Sequence, residues 1–289
     1  MISGSCAYGR SLRPAGRAHE RARARLRAGM SGMARSGHGG HSTGFHDRIF
    51  PTGPESEQIA EWLARLVAAS ETDGHAALEL GVGVGRVALP LSRRIGDVVG
   101  VDSSPERLSV LRESLSVTPR PVVPVEGDMR TYADGRQYRL VYCLRDTFCM
   151  LLDPADQRQV LLRCAEALAP GGTVVLETHN PAAVAALHQG RPREIFFTPY
   201  PGEDTGLLSY STRDPEKRTW RLSHIWFEEG NARISSTVSR LTEPEELDAH
   251  AGHAGLSLHG RYGDWHGTPY TGSEPMVVSV YRAGKTGDA

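Results

Sequence analysis

Long apolar runs are missing from these 289 residues. None approaches the roughly 20 residues that a membrane-spanning helix needs, because charge or proline interrupts each candidate. Cysteine is scarce: Cys6, Cys143, Cys149 and Cys164 form no CxxC pair and show no metal-ligand spacing. That pattern argues for reduced thiols in the cytoplasm rather than a disulfide framework or a zinc site. The 12 histidines include no HExxH, so no structural metal is expected. Net charge is nearly absent too, at -1, and 23% charged with 39% hydrophobic residues is ordinary for a soluble globular protein.

The small net charge hides an uneven distribution. Arg10, Arg13, Arg17, Arg21, Arg23, Arg25 and Arg27 face the single acid Glu20 at the start of the chain, so the remainder is acidic. Residues 1–44 therefore read as a disordered basic extension or an upstream-extended start, with Met30 or Met33 as the working initiator. The alternative is an arm that binds nucleic acid. The segment lacks the apolar core of a secretory signal. Around His38 and His41, "SGHGGHSTG" reads as a flexible linker.

From Pro54 the chain becomes periodic. Ile59, Trp62, Leu63, Leu66 and Val67 at helical spacing predict a helix over about Glu55 to Ser70. An apolar strand "AALEL", a glycine turn, a helix from Gly85 to about Arg94 and a strand "DVVGVD" then make a βαβ unit. The alternation continues through "SPERLSVLRESL" (helix), "PVVPVEGD" and "YRLVYCL" (strands), "PADQRQVLLRCAEALA" (helix) and "GTVVLET" (strand). The expected fold is α/β, a doubly wound, mostly parallel sheet with helices on both faces. Residues 190–241 change period and predict a small antiparallel β insertion, with hairpin turns at "DPEK" and "EEGN". A helix capped by Thr242, with Glu245 three residues on, and two final strands, "LSLHGRYG" and "PMVVSVYRA", complete the sheet.

A glycine turn between strand and helix lets a ligand approach the backbone and points the helix N-terminus at it. Here Gly81, Gly83 and Gly85 are spaced GxGxG, and Arg86 follows, so the GxGxxG dinucleotide fingerprint is imperfect. With Glu79 ahead of them, these glycines resemble the first motif of the class I S-adenosylmethionine-dependent methyltransferases. "VVGVDSSPERL" is similar to the second motif, "VEGDMRTY" to the family's "GDM" segment, and "LAPGGTVVLET" to the turn before its fifth strand. The resemblance implies a Rossmann-like sheet of seven strands over residues 45–285 and S-adenosyl-L-methionine as cofactor. It also implies Asp102 at the ribose hydroxyls, Asp128 at the adenine amino group and Met129 beside the ring. "FHDRIFP" is similar to a "YDRLYP" segment of the small-molecule branch, which would set Arg48 near the cofactor carboxylate. His46 and Phe50 stand where that segment has tyrosines.

The residue chemistry is consistent with this on its own. A carboxylate can accept two hydrogen bonds from a vicinal diol, and a second carboxylate one from an exocyclic amine. The same residues also have structural uses: Asp102 as a helix cap, Asp128 in a turn, Glu79 as support for the glycine loop. The acceptor belongs beyond the fourth and fifth strands, at "CLRDTF" and "ETHNP". Arg145, Asp146 and His179 are nearest by position, and Tyr200, Tyr210, His224, Trp226, Tyr262, Trp265 and His266 are further candidates. His179 and His224 are the expected proton acceptors. The resulting expectation is transfer of a methyl group to a small aromatic or natural-product acceptor at nitrogen, oxygen or a carbon such as that of an indole. Alternatives are an NAD(P)-dependent oxidoreductase, a protein methyltransferase, or a nucleic-acid methyltransferase, although "CLRDTF" lacks the Pro-Pro-Tyr/Phe segment of that last branch. No membrane partner is expected. The oligomeric state stays open, with a homodimer among the options.

Overall fold

The computed structural model describes residues 53–69, 74–199, 206–228 and 231–283. Helix α1 (Pro54–Ala68) starts at Gly53 with a proline in its first turn, and buries Ile59, Trp62, Leu63 and Val67 on one stripe. The βαβ alternation follows: β1 (His75–Leu80), α2 (Ala88–Ile95), β2 (Val98–Asp102), α3 (Pro105–Val117), β3 (Val122–Glu126) and β4 (Tyr138–Cys143). After a short 3-10 turn (Phe148–Met150) come α4 (Pro154–Ala167), β5 (Leu168–His179) and α5 (Pro181–His188). Four strands, β6 (Arg193–Pro199), β7 (Gly206–Asp214), β8 (Thr219–Glu228) and β9 (Asn231–Arg240), precede α6 (Pro244–His253), β10 (Leu256–Tyr262) and β11 (Met276–Ala283).

Seven strands form the main sheet in the order β10-β11-β5-β4-β1-β2-β3. All its pairings are parallel except those of β11, which runs antiparallel to both β5 and β10. Strand order reverses between β1 and β4, which opens a crevice at their carboxyl ends, where ligands bind in open α/β sheets. Strand periodicity assigns the two faces. Ala77, Leu140, Tyr142 and Val175 pack with α1, α2 and α3, whereas Leu78, Leu80, Val141, Val174 and Leu176 pack with Val160, Leu161 and Leu247 from α4 and α6. Leu140 is fully buried, so Leu140→Ala costs about 2 to 5 kcal/mol.

The second sheet is antiparallel in the order β6-β7-β8-β9. Its one face packs Phe196, Trp220 and Leu222 against Ala183, Val184 and Leu187 of α5, a third apolar cluster. His188 fastens the two together. Its Nε2 accepts from the Trp220 indole N–H at 3.1 Å and lies 3.0 Å from the Ser211 hydroxyl, while Nδ1 lies 3.1 Å from the Arg191 carbonyl. Burial holds the imidazole below its ordinary pKa.

Two local expectations change, and one helix joins the expected set. Helix α2 begins at Ala88 rather than Gly85, because Gly85 is left-handed at φ 81° and closes the preceding loop. Thr242 does not cap α6: the proline at 244 takes the first helical position, which makes Glu243 the N-cap, and the Thr242 hydroxyl donates to Gln157 instead. "NPAAVAALH" forms its own helix, capped by Asn180, whose side chain accepts from the Ala182 N–H at 3.0 Å.

Candidate active site

The loop after β1 is built around three left-handed glycines, with φ 80° at Gly81, 56° at Gly83 and 81° at Gly85. They are not equivalent. A Cβ on Gly81 would lie 2.4 Å from Thr147 Cγ2, and one on Gly85 would lie 2.5 Å from Leu111 Cδ1, so both glycines permit close internal packing. A Cβ on Gly83 would meet nothing within 4 Å, so at that residue the backbone faces open space.

Asp102, at the end of β2 and only 8% exposed, ties this loop to the neighbouring strand. Its Oδ2 accepts from the Gly83 N–H at 2.8 Å and its Oδ1 from the Ser104 N–H at 2.9 Å. Ser104, not Asp102, is the N-cap of α3, accepting from the Arg107 N–H. One lone pair on each Asp102 oxygen remains for a ligand. Glu79 pairs in register with Tyr142 across β1 and β4, and the buried Tyr142 hydroxyl donates to Glu79 Oε2 at 2.9 Å. Burial and the adjacent carboxylate hold the Tyr142 phenol well above its ordinary pKa.

Asp128 lies after β3 and is gripped by Arg130, whose Nε is 3.0 Å from both carboxylate oxygens and whose backbone N–H reaches Oδ1 at 2.9 Å. Those hydrogen bonds hold the carboxyl below the usual range, so Asp128 is fixed as an acceptor. Arg130 reaches on to Asp156 at 3.0 Å. Met129 is half-buried against the α4 side of the core.

The ends of β4 and β5 converge. Arg145 and Asp146 both take left-handed backbone, φ 52° and 54°, which is uncommon outside glycine and concentrates at functional sites. The Arg145 N–H donates to Glu177 Oε2 at 2.8 Å, and the Trp265 indole donates to Glu177 Oε1 at 3.3 Å. Glu55, from α1, binds the guanidiniums of both Arg86 and Arg145. Burial, and then the proximity of Arg86, lower the Arg145 pKa to about 10. His179 is buried, with Nε2 3.2 Å from Asp146 Oδ2 and its ring edge-on to Trp220 at 5.0 Å. The Ser239 hydroxyl donates to the same Asp146 oxygen at 3.4 Å. Strands β8 and β9 therefore roof the ends of β4 and β5.

The structure brings together Asp146 and His179 from the sequence candidates, and adds Glu177, Trp220 and Ser239. It sends others elsewhere. His224 Nδ1 bonds the Ser209 hydroxyl at 2.8 Å, further along the roof. Tyr262 and Trp265 pack edge-on against Trp62 of α1, and His266 bonds Gln58 on the same helix. Tyr210 accepts from the Thr212 hydroxyl. His46, Arg48, Phe50 and Tyr200 lie outside the described residues, as does the side chain of Trp226. Among the described residues no cluster of His, Cys, Asp or Glu could hold a metal. No helix among them is long and apolar enough to cross a membrane.

The inner face of the roof mixes the apolar residues packed on α5 with buried hydroxyls. Across the register run Ser209, His224 and Ser235 in one row and Ser211, Leu222 and Thr237 in the next, with Trp220 beside Ser239 in a third, all buried. These hydroxyls are paired, Ser209 with His224, Ser211 with His188 of α5 and Ser239 with Asp146, which makes their burial tolerable, and the Ser239 pairing ties the roof to the ends of β4 and β5.

Comparison with known proteins gives a consistent set. Residues 77–172 match the model of a methyltransferase domain. The solved CcbJ methyltransferase from Streptomyces caelestis is 36% identical, with a TM-score of 0.70 over 80% of this chain and 90% of that one. Cypemycin N-terminal methyltransferase from Streptomyces sp is 28% identical over 73% of this chain and 84% of its own length. CalS10 from Micromonospora echinaspora, an amino pentose methyltransferase solved with S-adenosylmethionine bound, shares the fold at 22% identity. Its TM-score is 0.60 over 85% of this chain and 98% of that one.

Proposed function

Because the chain belongs to the S-adenosylmethionine-dependent methyltransferases, we propose that it methylates a small, hydroxyl-bearing natural product held beneath the β6-β9 sheet. The observation that carries this reading is the hydroxyl-lined inner face of that sheet above His179 and Asp146. One relative is named for methylation at an N-terminus, that of cypemycin. An oxidoreductase has no support among these relatives.

The loop after β1 fits the cofactor. The open backbone at Gly83 admits it, and Asp102 keeps a lone pair on each oxygen for the ribose diol. Asp128, fixed as an anion by Arg130, serves as acceptor for the adenine amine, with Met129 beside the ring. Glu79 supports the loop from beneath through Tyr142. Arg86 and Arg145 share Glu55 at this end of the crevice, and Arg48 is assigned to the cofactor carboxylate from its sequence position alone. The bound cofactor supplies an electrophilic methyl group on a sulfonium. The chain's own residues position the acceptor, exclude water and hold its proton. That proton is assigned to the imidazole of His179, oriented by Asp146. His224 orients the acceptor from the roof through its Ser209 contact.

A row of apolar residues, Phe197, Leu208, Ile225 and Ile234, crosses all four strands on the outer face of the same sheet, with Ile195 beside it. Phe197 is 53% exposed and Ile234 65%. We assign this exposed apolar stripe to a homodimer contact about a twofold axis. The partner at the site is a small molecule, neither nucleic acid nor membrane, and the buried thiols of Cys143, Cys149 and Cys164 suit the reducing cytoplasm. Mass spectrometry of amino sugars, amines, phenols and indoles incubated with the enzyme and S-adenosylmethionine tests the acceptor class. A gain of one methyl on a polar, hydroxylated acceptor is expected, and methylation confined to unsubstituted apolar aromatics contradicts it.

A further inference from the structure

Asp146 is held in an unusual way. Its backbone is left-handed, its side chain is 5% exposed, and its two oxygens are unequal. Oδ2 is met by His179 and Ser239. Oδ1 is buried as well and has no hydrogen-bond partner. A carboxylate oxygen shut away from water without a donor is costly, and such an arrangement persists where a ligand supplies the donor. The nearby candidates are committed elsewhere: the Arg145 guanidinium to Glu55, its N–H to Glu177, and the Trp265 indole also to Glu177.

The location is equally specific. Thr147, the next residue, carries the methyl that would collide with a Cβ on Gly81. The Asp146–Thr147 turn is thus packed on the glycine loop, and Asp146 stands between that loop and the polar roof.

We propose that Asp146 Oδ1 is the seat of a protonated amine on the acceptor, which yields one proton to His179 to free its lone pair for the methyl, so that the methyl acceptor is an amine rather than a phenol, an alcohol or a ring carbon. This rests on the methyltransferase reading above. An ammonium group brings both a donor and a full positive charge to the buried carboxyl group, whereas a hydroxyl brings a donor alone and an indole carbon neither. Its three donors can also serve Oδ1 and hydroxyls of the roof together.

The test needs no knowledge of the acceptor. Sinefungin is a cofactor analogue in which an amine-bearing carbon replaces the methylated sulfonium, so its ammonium takes the place of the transferred methyl and points into the seat of the acceptor. Its affinity is compared by calorimetry with that of S-adenosylhomocysteine, for the wild type and for Asp146→Asn. Asparagine tolerates left-handed backbone, so the variant keeps the turn. The wild type should bind sinefungin about tenfold or more tighter than S-adenosylhomocysteine, a gain typical of a hydrogen bond to a charged group. Asp146→Asn should abolish that preference while S-adenosylhomocysteine affinity stays within about twofold. A preference that survives in Asp146→Asn, or equal losses for both ligands, overturns the amine seat. A wild type that binds neither ligand overturns the methyltransferase reading itself, which is a separate result.

Discussion

Replacing Asp102 by alanine separates a loop anchor from a ligand contact. Its two oxygens accept from the Gly83 and Ser104 N–H groups at 2.8 and 2.9 Å, and the residue is 8% exposed. Hydrogen bonds to a charged group are worth about 1.5 to 3 kcal/mol each, so losing both, with partial rescue of the freed N–H groups by water, costs about 3 kcal/mol of stability. For a domain of this size that lowers Tm by about 6 to 12 °C. If the remaining lone pairs also bind the ribose diol, cofactor affinity falls by a further 1.5 to 3 kcal/mol, roughly 10- to 150-fold. Differential scanning calorimetry reads the first quantity and isothermal titration with S-adenosylhomocysteine the second, below the variant's melting range. A variant that melts early but binds within about threefold of wild type would reduce Asp102 to an anchor and refute the diol contact.

Gly83→Ala should cost about 1 to 2 kcal/mol of stability, the strain of its left-handed φ of 56°, with no clash added because its Cβ meets nothing within 4 Å. It should nonetheless weaken S-adenosylhomocysteine binding about tenfold or more, since that methyl fills the space where the ligand approaches; unchanged affinity in titration would place the cofactor elsewhere. His179→Ala should lower kcat by about 100- to 10,000-fold with S-adenosylhomocysteine affinity kept, and full turnover would remove it as the proton acceptor. Burial depresses the His188 pKa and keeps the ring neutral in the fold, so its contribution is present above the unfolded value of about 6.5 and is lost as pH falls below it. Thermal melts followed by tryptophan fluorescence should show that decline as pH falls below about 6.5, and a weaker one in His188→Gln; identical declines would exclude His188 as the cause. Phe197→Glu should convert a dimer to a monomer in analytical ultracentrifugation, and a variant that still dimerises would remove the outer stripe as the contact.

Much of the sheet could be read from residues because strands and helices alternate with different periods. "HAALEL" and "VVGVD" are buried strands between amphipathic helices, and the structure places them side by side. Boundaries were less readable where glycine or proline altered the local geometry, as at Gly85 and Pro244. The glycine loop and Asp102 could be located because they are adjacent to those strands in sequence. The acceptor side was harder, since it is assembled from β4, β5, β8 and β9, segments separated by up to 93 positions between Asp146 and Ser239. Nothing in "CLRDTF" signals two successive left-handed residues, because neither is glycine. Nor does the aromatic content of "RYGDWHGTPY" reveal that Trp265 turns to Glu177 and packs on Trp62.

The central claim is that the loop after β1 holds S-adenosylmethionine and not a dinucleotide. Isothermal titration of the full chain with S-adenosylmethionine and, separately, with NADPH tests it most directly. Saturable binding of S-adenosylmethionine with no heat from NADPH is the predicted result; saturable binding of NADPH without S-adenosylmethionine binding would contradict it.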